Sequence, residues 1–261
     1  MTADAVWYGI TAACSLGAFA CGWALGRRGG RIARWAAAIG LGLVIAKTVL
    51  VWKPHWEAAL FPFVDYAYFQ SYWRWLVALL FFGLATPQLP VAWNRAVVAM
   101  LAAGVFAWGL WDERWMIAPP SEGAPVAADA RHHCPQSTGF TCVPASCVMV
   151  LSYWGIPTTE REMATLCCTR ETGTTTFNGY RGLTLKAGDH GLRARIRLFA
   201  ADELPRDGTP LLWTDGYHAR VLLVSDGRWI VHDPLANEPW VWPAAQVQEF
   251  LAGPVVLLEA S

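Results

Sequence analysis

The chain has 261 residues, of which 55% are hydrophobic and only 15% are charged, and its formal net charge is zero. This composition is unlike that of an ordinary soluble domain, and the zero net charge argues against nucleic acid as a partner. Almost all of the apolar excess lies before Trp111, so we expect a membrane region followed by a soluble region.

Four apolar runs precede Asp112 and predict an all-α transmembrane region of four helices. The first run has no charged residue and is long enough to cross a hydrocarbon core of about 30 Å. The second contains Lys47 near its end, where a lysine side chain can reach the membrane surface. The third is expected to end near Pro87 or Pro90. The four runs are residues 5–25, 35–52, 75–94 and 96–111.

The distribution of basic residues predicts the orientation of this region in the lipid bilayer. Residues 1–4 contain no Lys or Arg, whereas the loop after the first run carries Arg27, Arg28, Arg31 and Arg34. The positive-inside rule therefore places that loop in the cytoplasm. Four spans then return the chain to the outside. We expect a protein of the bacterial inner membrane whose soluble part, after about Asp112, is extracytoplasmic.

Two further segments of the membrane region need an assignment. No basic stretch precedes the first run, which favours a retained span over a cleaved signal peptide. Residues 53–74, between the second and third runs, are aromatic and sparsely charged. Because Trp and Tyr favour the headgroup level, we interpret this segment as interfacial.

Residues 118–133 are rich in Pro and Ala, have no periodic apolar face and predict a linker. It separates the transmembrane region, residues 1–117, from a domain over residues 134–261. Helices come first in that domain and strands follow, which is an α+β plan with an antiparallel sheet. Three helices are predicted over residues 143–154, 178–190 and 243–251. A further short helix is predicted with Thr159 and Glu162 as its capping box. The strands are predicted over residues 193–199, 210–214, 218–224, 228–232 and 255–259.

Five of the seven cysteines lie in the soluble domain, so at least one thiol has no internal disulfide partner. A disulfide between two of Cys134, Cys147, Cys167 and Cys168 remains open outside the cytoplasm. The sequence lacks a C-x₂-C pair, which disfavours structural zinc and redox exchange, and we expect no metal or other cofactor. Cys142 stands at the entrance to the first helix, where the helix dipole favours a thiolate, and is the best candidate for a reactive thiol.

Hairpin geometry supplies a candidate base. The pair Asp226-Gly227 separates two apolar runs and predicts a two-residue hairpin loop. That register makes His218 and Asp233 diagonal neighbours on one face of the sheet, within reach of each other. His232 falls on the opposite face, because side chains alternate along a strand. The sequence therefore predicts a His–Asp pair in which the carboxylate orients the imidazole.

An oxyanion donor completes the set. Gln136 lies six residues before Cys142, and its side-chain amide can join the backbone N–H of Cys142 in holding a developing oxyanion. Gln136, Cys142, His218 and Asp233 occur in the order of a known family's signature. The chain resembles the papain-like cysteine peptidases that process double-glycine leader peptides of bacteriocins. The motifs that carry this resemblance are "QSTGFTCVPAS", "LSYWG", Gly173-Thr174, "HARVLLV" and "HDP".

The resemblance covers about residues 134–259 and implies a papain-like fold. It further implies that Cys142 is the nucleophile and that His218 is the general base and then the acid. Asp233 would orient His218, and Gln136 would complete the oxyanion hole. The chain departs from the family at Val143, where a glycine is usual, and at Thr141, where an acidic residue is usual. We expect the bulk of Val143 to narrow the pocket or shift its specificity.

These residues predict a membrane-anchored cysteine peptidase whose substrate is a peptide or protein outside the cytoplasm. Members of the family are often fused to ABC exporters, whereas this chain contains no P-loop motif, so any export machinery would be a separate partner. Two alternatives stay open. One is a non-catalytic peptide-binding domain that recruits cargo to an export partner. The other is acyl or amide transfer by the same Cys–His–Asp set.

Overall fold

The computed structural model describes residues 3–117, 123–199, 208–225, 228–243 and 254–260. Eight α-helices lie in this part of the chain: α1 (Ala3–Arg27), α2 (Gly30–Trp52), α3 (Pro54–Leu60), α4 (Tyr66–Ala85), α5 (Ala92–Asp112), α6 (Cys142–Tyr153), α7 (Glu160–Leu166) and α8 (Thr176–Gly188). The chain divides into two compact units. Unit 1 contains Met1–Trp52 and Tyr68–Ala118, and unit 2 contains Lys53–Ala67 and Pro119–Ser261.

In unit 1, three of the described helices are long and apolar enough to cross a membrane. These stretches are Ala5–Arg27, Gly30–Trp52 and Ala92–Met116. The third predicted span corresponds to α4, which has 20 residues and carries Gln70 and Arg74 in its first half. It is not among the three, so a membrane region is supported, while the prediction of four spans remains a prediction.

The helices of unit 1 make the close backbone contacts that small residues allow. A Cβ atom on Gly22 of α1 would lie 2.3 Å from the carbonyl oxygen of Leu80, and one on Gly83 of α4 would lie 2.3 Å from that of Phe19. Membrane helices commonly pack through such small residues. Many large apolar side chains remain exposed on the unit, as contact with lipid requires: Trp35, Ile39, Leu41, Leu43, Ile45, Met100, Leu101 and Trp108.

Unit 2 contains a six-stranded sheet in the order β1-β6-β2-β3-β4-β5, and every neighbouring pair is antiparallel. The strands are β1 (Leu192–Arg197), β2 (Leu211–Thr214), β3 (Ala219–Ser225), β4 (Arg228–His232), β5 (Trp240–Trp242) and β6 (Val255–Ala260). The predicted α+β plan with an antiparallel sheet is confirmed. Strand β5 was not predicted. The predicted helix near 243–251 and the hairpin loop Asp226-Gly227 lie outside the described residues.

Helix α6 is the central helix of unit 2. Its residues from Cys142 to Leu151 are all buried, and it packs against β2 and β3 on one side and against α7 and α8 on others. A helix that is apolar on all faces is stable only when it is enclosed in this way. The enclosed helix therefore gives its first residue, Cys142, a fixed position next to the sheet.

Unit 2 also includes a short piece of chain from the membrane region. In residues 53–67, the carboxyl group of Glu57 is fully buried and accepts a hydrogen bond of 3.0 Å from the hydroxyl group of Tyr66. The Tyr66 ring stacks on Phe61 at 4.2 Å between centroids and meets the edge of Phe177 in α8 at 5.5 Å. The sequence predicts an interfacial segment over residues 53–74. In the structure Tyr66 is buried, whereas Trp56 and Phe63 are exposed.

Candidate functional site

Cys142 is the first residue of α6, and it is 8% exposed. Burial raises the pKa of its thiol, while the backbone N–H groups of Ala219, Val143 and Cys142 itself act in the opposite direction. The net effect is a raised pKa, so the thiol is protonated at neutral pH. The contact with the N–H of Ala219 places the sulfur next to the beginning of β3, immediately after His218.

His218 and Asp233 form a partly buried hydrogen-bonded pair. The His218 Nε2 and Asp233 Oδ1 atoms are 2.7 Å apart, and the two side chains are 15% and 7% exposed. The hairpin pairs Ser225 with Arg228 and Val221 with His232, which confirms the register predicted from the sequence. Because an ionised carboxylate can only accept, Nε2 of His218 carries the proton. In the neutral imidazole, Nδ1 is then the basic nitrogen.

Three groups hold the Asp233 carboxylate. Its Oδ1 atom also accepts from the backbone N–H of Leu235 at 2.8 Å, and its Oδ2 atom accepts from Nε of Arg220 at 2.7 Å. Burial raises the pKa of Asp233, but the hydrogen bonds from His218, Leu235 and Arg220 outweigh it and the pKa is lowered. Asp233 is therefore an ionised carboxylate with one oxygen committed to His218 and the other to Arg220.

Asp215 orients the backbone that carries His218. Its Oδ1 atom accepts from the N–H groups of Tyr217 at 2.8 Å and of His218 at 2.7 Å, and its Oδ2 atom lies 3.4 Å from Arg220 Nη1. These contacts lower the pKa of Asp215 despite its partial burial, which acts to raise it. Sequence reasoning missed Asp215. The Asp215-Gly216 pair indicates a turn, in which an Asp side chain often accepts a hydrogen bond from the backbone two residues further along the chain. This signal could have identified Asp215.

Gln136 lies beside the same end of the sheet. Its backbone N–H donates to the carbonyl of Pro234 at 3.0 Å, and its Nε2 donates to the carbonyl of Thr138 at 2.8 Å. Its Oε1 atom is buried without a hydrogen-bond partner among the described residues. One N–H of the side-chain amide is not used by Thr138. No hydrogen bond joins Gln136 to Cys142 in the described part of the chain, so its oxyanion role stays a prediction.

The structure thus brings His218 and Asp233 together and places Cys142 beside the residue that follows His218. Within the described ranges, no hydrogen bond joins the Cys142 thiol to His218. Catalytic hydrogen bonds are often long or poorly aligned in unliganded sites and tighten on substrate binding. The arrangement places a protonated thiol near an imidazole that Asp233 orients, and Nδ1 of that imidazole can act as the base. The catalytic roles of the four residues remain predictions.

Val143 does not take the place that the sequence suggested. Its side chain is 2% exposed, and a Cβ atom added to Gly179 of α8 would lie 2.9 Å from Val143 Cγ1. The valine therefore fills space that Gly179 leaves open in the core. Its bulk is absorbed between α6 and α8, so the expected narrowing of the pocket has no structural basis.

This contact yields a stability prediction. Gly179→Ala should lower the free energy of unfolding by about 1–3 kcal/mol, because the added methyl group overlaps Val143 Cγ1 and Leu212 Cδ2, both at 2.9 Å. The double variant Gly179→Ala/Val143→Ala should recover part of that loss. Gly188→Ala is the control, since nothing lies within 4 Å of its added Cβ. Thermal unfolding of the full chain in detergent measures all three. Equal midpoints for Gly179→Ala and Gly188→Ala would contradict the packing argument.

His232 occupies the face of the sheet opposite to Asp233. It is 3% exposed, and its Nε2 atom is 2.8 Å from the hydroxyl group of Tyr153, at the end of α6. Burial, followed by the charges of His133 and His132, lowers the pKa of His232 to about 4. The neutral imidazole therefore ties the far end of the Cys142 helix to strand β4.

The buried histidine predicts an acid-sensitive fold. His232 binds a proton in the unfolded chain near pH 6.5 but in the folded chain only near pH 4, so stability rises with pH between these values. The free energy of unfolding should fall by roughly 3 kcal/mol as the pH drops through this window. Burial also lowers the pKa of His133, which acts in the same direction. His232→Gln should show a smaller fall between pH 6.5 and 5, measured by thermal unfolding, whereas an unchanged fall would exclude His232 as its source.

The other four cysteines of unit 2, Cys134, Cys147, Cys167 and Cys168, are buried thiols. Cys134 has a pKa raised to about 12, chiefly by burial. The structure contains no disulfide among its described cysteines. In the same part of the chain, no group of three or more His, Cys, Asp or Glu side chains has the arrangement of a metal site.

Comparisons with known proteins give partial matches. No family model matches the chain. Uncharacterized proteins of Methanothermobacter marburgensis and Methanothermobacter thermautotrophicus are 35% and 34% identical to it over 94 residues, which is 36% of this chain. The chain spans 63% of the length of these curated relatives. The crystal structure of the peptidase domain of Streptococcus ComA, a bifunctional ABC transporter involved in quorum sensing, is similar with a TM-score of 0.40 and 18% identity, over 49% of this chain and 97% of that domain.

Proposed function

We propose that the chain is a membrane-anchored, papain-like cysteine peptidase that cleaves a peptide or protein substrate outside the cytoplasm. The observation that carries this proposal is the partly buried His218–Asp233 pair at the beginning of β3, the strand whose first N–H approaches the Cys142 thiol. A thiol of raised pKa needs a base to become a nucleophile, and the oriented imidazole supplies one.

In the proposed reaction, Nδ1 of His218 accepts the proton of the Cys142 thiol as the sulfur attacks the substrate carbonyl carbon. The developing oxyanion is held by the backbone N–H of Cys142 and the side-chain amide of Gln136. Asp233 stabilises the imidazolium and keeps its Nε2–H in place. His218 then protonates the leaving amine, and water hydrolyses the thioester to release the second product and restore the thiol.

The connectivity of unit 2 supports the proposed side of the membrane. Residues 53–67 and 119–261 belong to one compact unit, and we place both stretches on one side of the bilayer. The chain between them contains α4 and α5, so it crosses the bilayer an even number of times. Crossing by both helices fits the four-span prediction, and the arginine-rich loop between α1 and α2 then lies on the cytoplasmic side. On this proposal, residues 119–261 are extracytoplasmic.

The test uses the full chain in detergent micelles and a proteome-derived peptide library as the substrate. Mass spectrometry should detect new peptide termini with the wild type but not with Cys142→Ser, whereas Cys21→Ser, a change of an exposed thiol in α1, should behave as the wild type. New termini in equal number with Cys142→Ser would exclude Cys142 as the nucleophile.

Two further results would exclude peptide hydrolysis as the function of the chain. Peptides that are retained by the wild type without any new termini would instead indicate a binding domain. Products that carry an added primary amine in preference to a free carboxylate would indicate amide transfer by the same residues.

A further inference from the structure

Two buried cysteines of unit 2 face each other across a helix interface. The sulfur atoms of Cys147, in α6, and Cys167, directly after α7, are 4.0 Å apart. Both residues are 0% exposed. Neither takes part in the proposed peptidase reaction. We propose that Cys147 and Cys167 form a disulfide bond in the membrane-inserted protein, which joins the helix of the nucleophile to α7.

A third helix, α8, contacts both of these sulfur atoms. Gly179 and Gly182 are three residues apart in α8 and so share one helix face. A Cβ atom on Gly182 would lie 2.3 Å from the sulfur of Cys167, and one on Gly179 would lie 3.9 Å from that of Cys147. The Cys147 thiol also donates to the Gly179 carbonyl at 3.8 Å. Glycine weakens a helix relative to alanine, so the glycine at position 182 is explained by the space that the Cys167 sulfur occupies. At Gly179 the close contacts are Val143 and Leu212, and the Cys147 sulfur lies at an ordinary van der Waals distance.

The sulfur–sulfur distance of 4.0 Å favours the Cys147–Cys167 pair among the open possibilities. A disulfide bond is about 2 Å long, so the two sulfur atoms need to approach by about 2 Å, which side-chain rotation can supply. The Cys134 thiol, by contrast, lies against the backbone carbonyls of Val126 and Pro135. Pairing Cys147 with Cys167 also leaves Cys142 as a thiol, which the proposed reaction requires.

The bond forms while the chain folds outside the cytoplasm, and to that extent the inference rests on the proposed location of unit 2. One cysteine thiolate attacks the disulfide of an extracytoplasmic thiol–disulfide oxidase and forms a mixed disulfide. The second thiolate displaces the oxidase, which leaves as a dithiol. The chain loses two protons and two electrons, and the oxidase takes up both electrons. After folding, both residues are fully buried, which shields the bond from exchange.

The bond should stabilise unit 2 without contributing to catalysis. It closes a loop between positions 20 residues apart, and cross-links of this size constrain the unfolded chain appreciably. The expected consequence is a rise in the thermal midpoint of unit 2 of roughly 5–10 °C relative to the reduced protein.

The experiment traps the thiols with N-ethylmaleimide when cells are broken in denaturant, and peptide mapping by mass spectrometry follows. Cys147 and Cys167 should be recovered as one linked peptide, while Cys142 carries the maleimide adduct. In the purified, non-alkylated full chain, dithiothreitol should lower the thermal midpoint by roughly 5–10 °C. Dithiothreitol should lower the thermal midpoint of Cys134→Ala by the same amount as that of the wild type. It should not change the thermal midpoint of Cys147→Ala/Cys167→Ala.

Recovery of both Cys147 and Cys167 as maleimide adducts would overturn the inference, and this result does not require any variant to fold. Fragmentation of the linked peptide locates the bonded sulfur atoms, and a bond through Cys134 in place of Cys147 would overturn the inference as well. Cys142→Ser should contain the same linked peptide as the wild type. A failure of the proposed peptidase reaction is therefore distinguishable, because it changes the cleavage assay and leaves the peptide map unaltered.

Discussion

Exchange of His218 for alanine is expected to lower kcat/KM for peptide cleavage by about 10²- to 10⁴-fold. Burial raises the pKa of the Cys142 thiol, and even an ordinary thiol is only a few per cent ionised at neutral pH. Without Nδ1 of His218, no group described near the sulfur can take its proton. The rate of cleavage of a peptide identified in the library assay, measured at pH 7 with the purified full chain, checks this prediction.

Imidazole added to His218→Ala provides an internal control. The truncated side chain leaves room beside Asp233, so free imidazole at tens of millimolar should restore part of the activity of this variant and none of that of Cys142→Ser. His232→Gln, which changes a histidine on the other face of the sheet, should retain most of the wild-type rate. A His218→Ala variant that keeps more than a tenth of the wild-type kcat/KM would remove His218 from the mechanism.

Asp233→Asn should lower kcat/KM by roughly 10²-fold. In the wild type, one carboxylate oxygen accepts from His218 and Leu235, and the other accepts from Arg220. An asparagine has only one acceptor oxygen. If that oxygen faces His218, the amide NH₂ group meets the Arg220 donor. If it faces Arg220, the NH₂ group meets His218 and favours the tautomer with a protonated Nδ1, which cannot act as the base.

A second substitution distinguishes the mismatch between the asparagine NH₂ group and the Arg220 donor from the loss of the Asp233 charge alone. Arg220→Gln replaces the donor by a side chain that can accept from the NH₂ group of an asparagine at 233. The double variant Asp233→Asn/Arg220→Gln should therefore recover at least tenfold in kcat/KM over Asp233→Asn alone, with Arg220→Gln as its reference. If the double variant is no more active than Asp233→Asn, the competition between His218 and Arg220 for the carboxylate does not control the rate.

The parts of the site that could be predicted depend on local rules. The two-residue hairpin loop fixes the register of β3 and β4, and strand alternation then puts His218 and Asp233 on one face. The beginning of α6 at Cys142 follows similarly from Pro144 in the first turn and Gly155 past the end. These signals lie within a few residues of the features that they specify.

The features that the sequence did not indicate depend on tertiary packing. Val143 meets Gly179 only because α6 and α8 cross at that point, and Cys147 meets Cys167 for the same kind of reason. Strand β5 has only three residues and lies at the sheet edge, where the periodic signal is too short to recognise. The aromatic residues of 53–67 suit a membrane interface and a protein interior equally, so composition alone did not assign them to unit 2.

The most direct test of the central claim is the rate at which iodoacetamide alkylates Cys142 at pH 7, followed by mass spectrometry of the full chain. If His218 takes the thiol proton, the wild type should react at least tenfold faster at Cys142 than His218→Ala, and the other buried cysteines should react more slowly in both proteins. Equal rates at Cys142 in the two proteins would show that His218 does not activate this thiol, and would contradict the proposed cysteine peptidase.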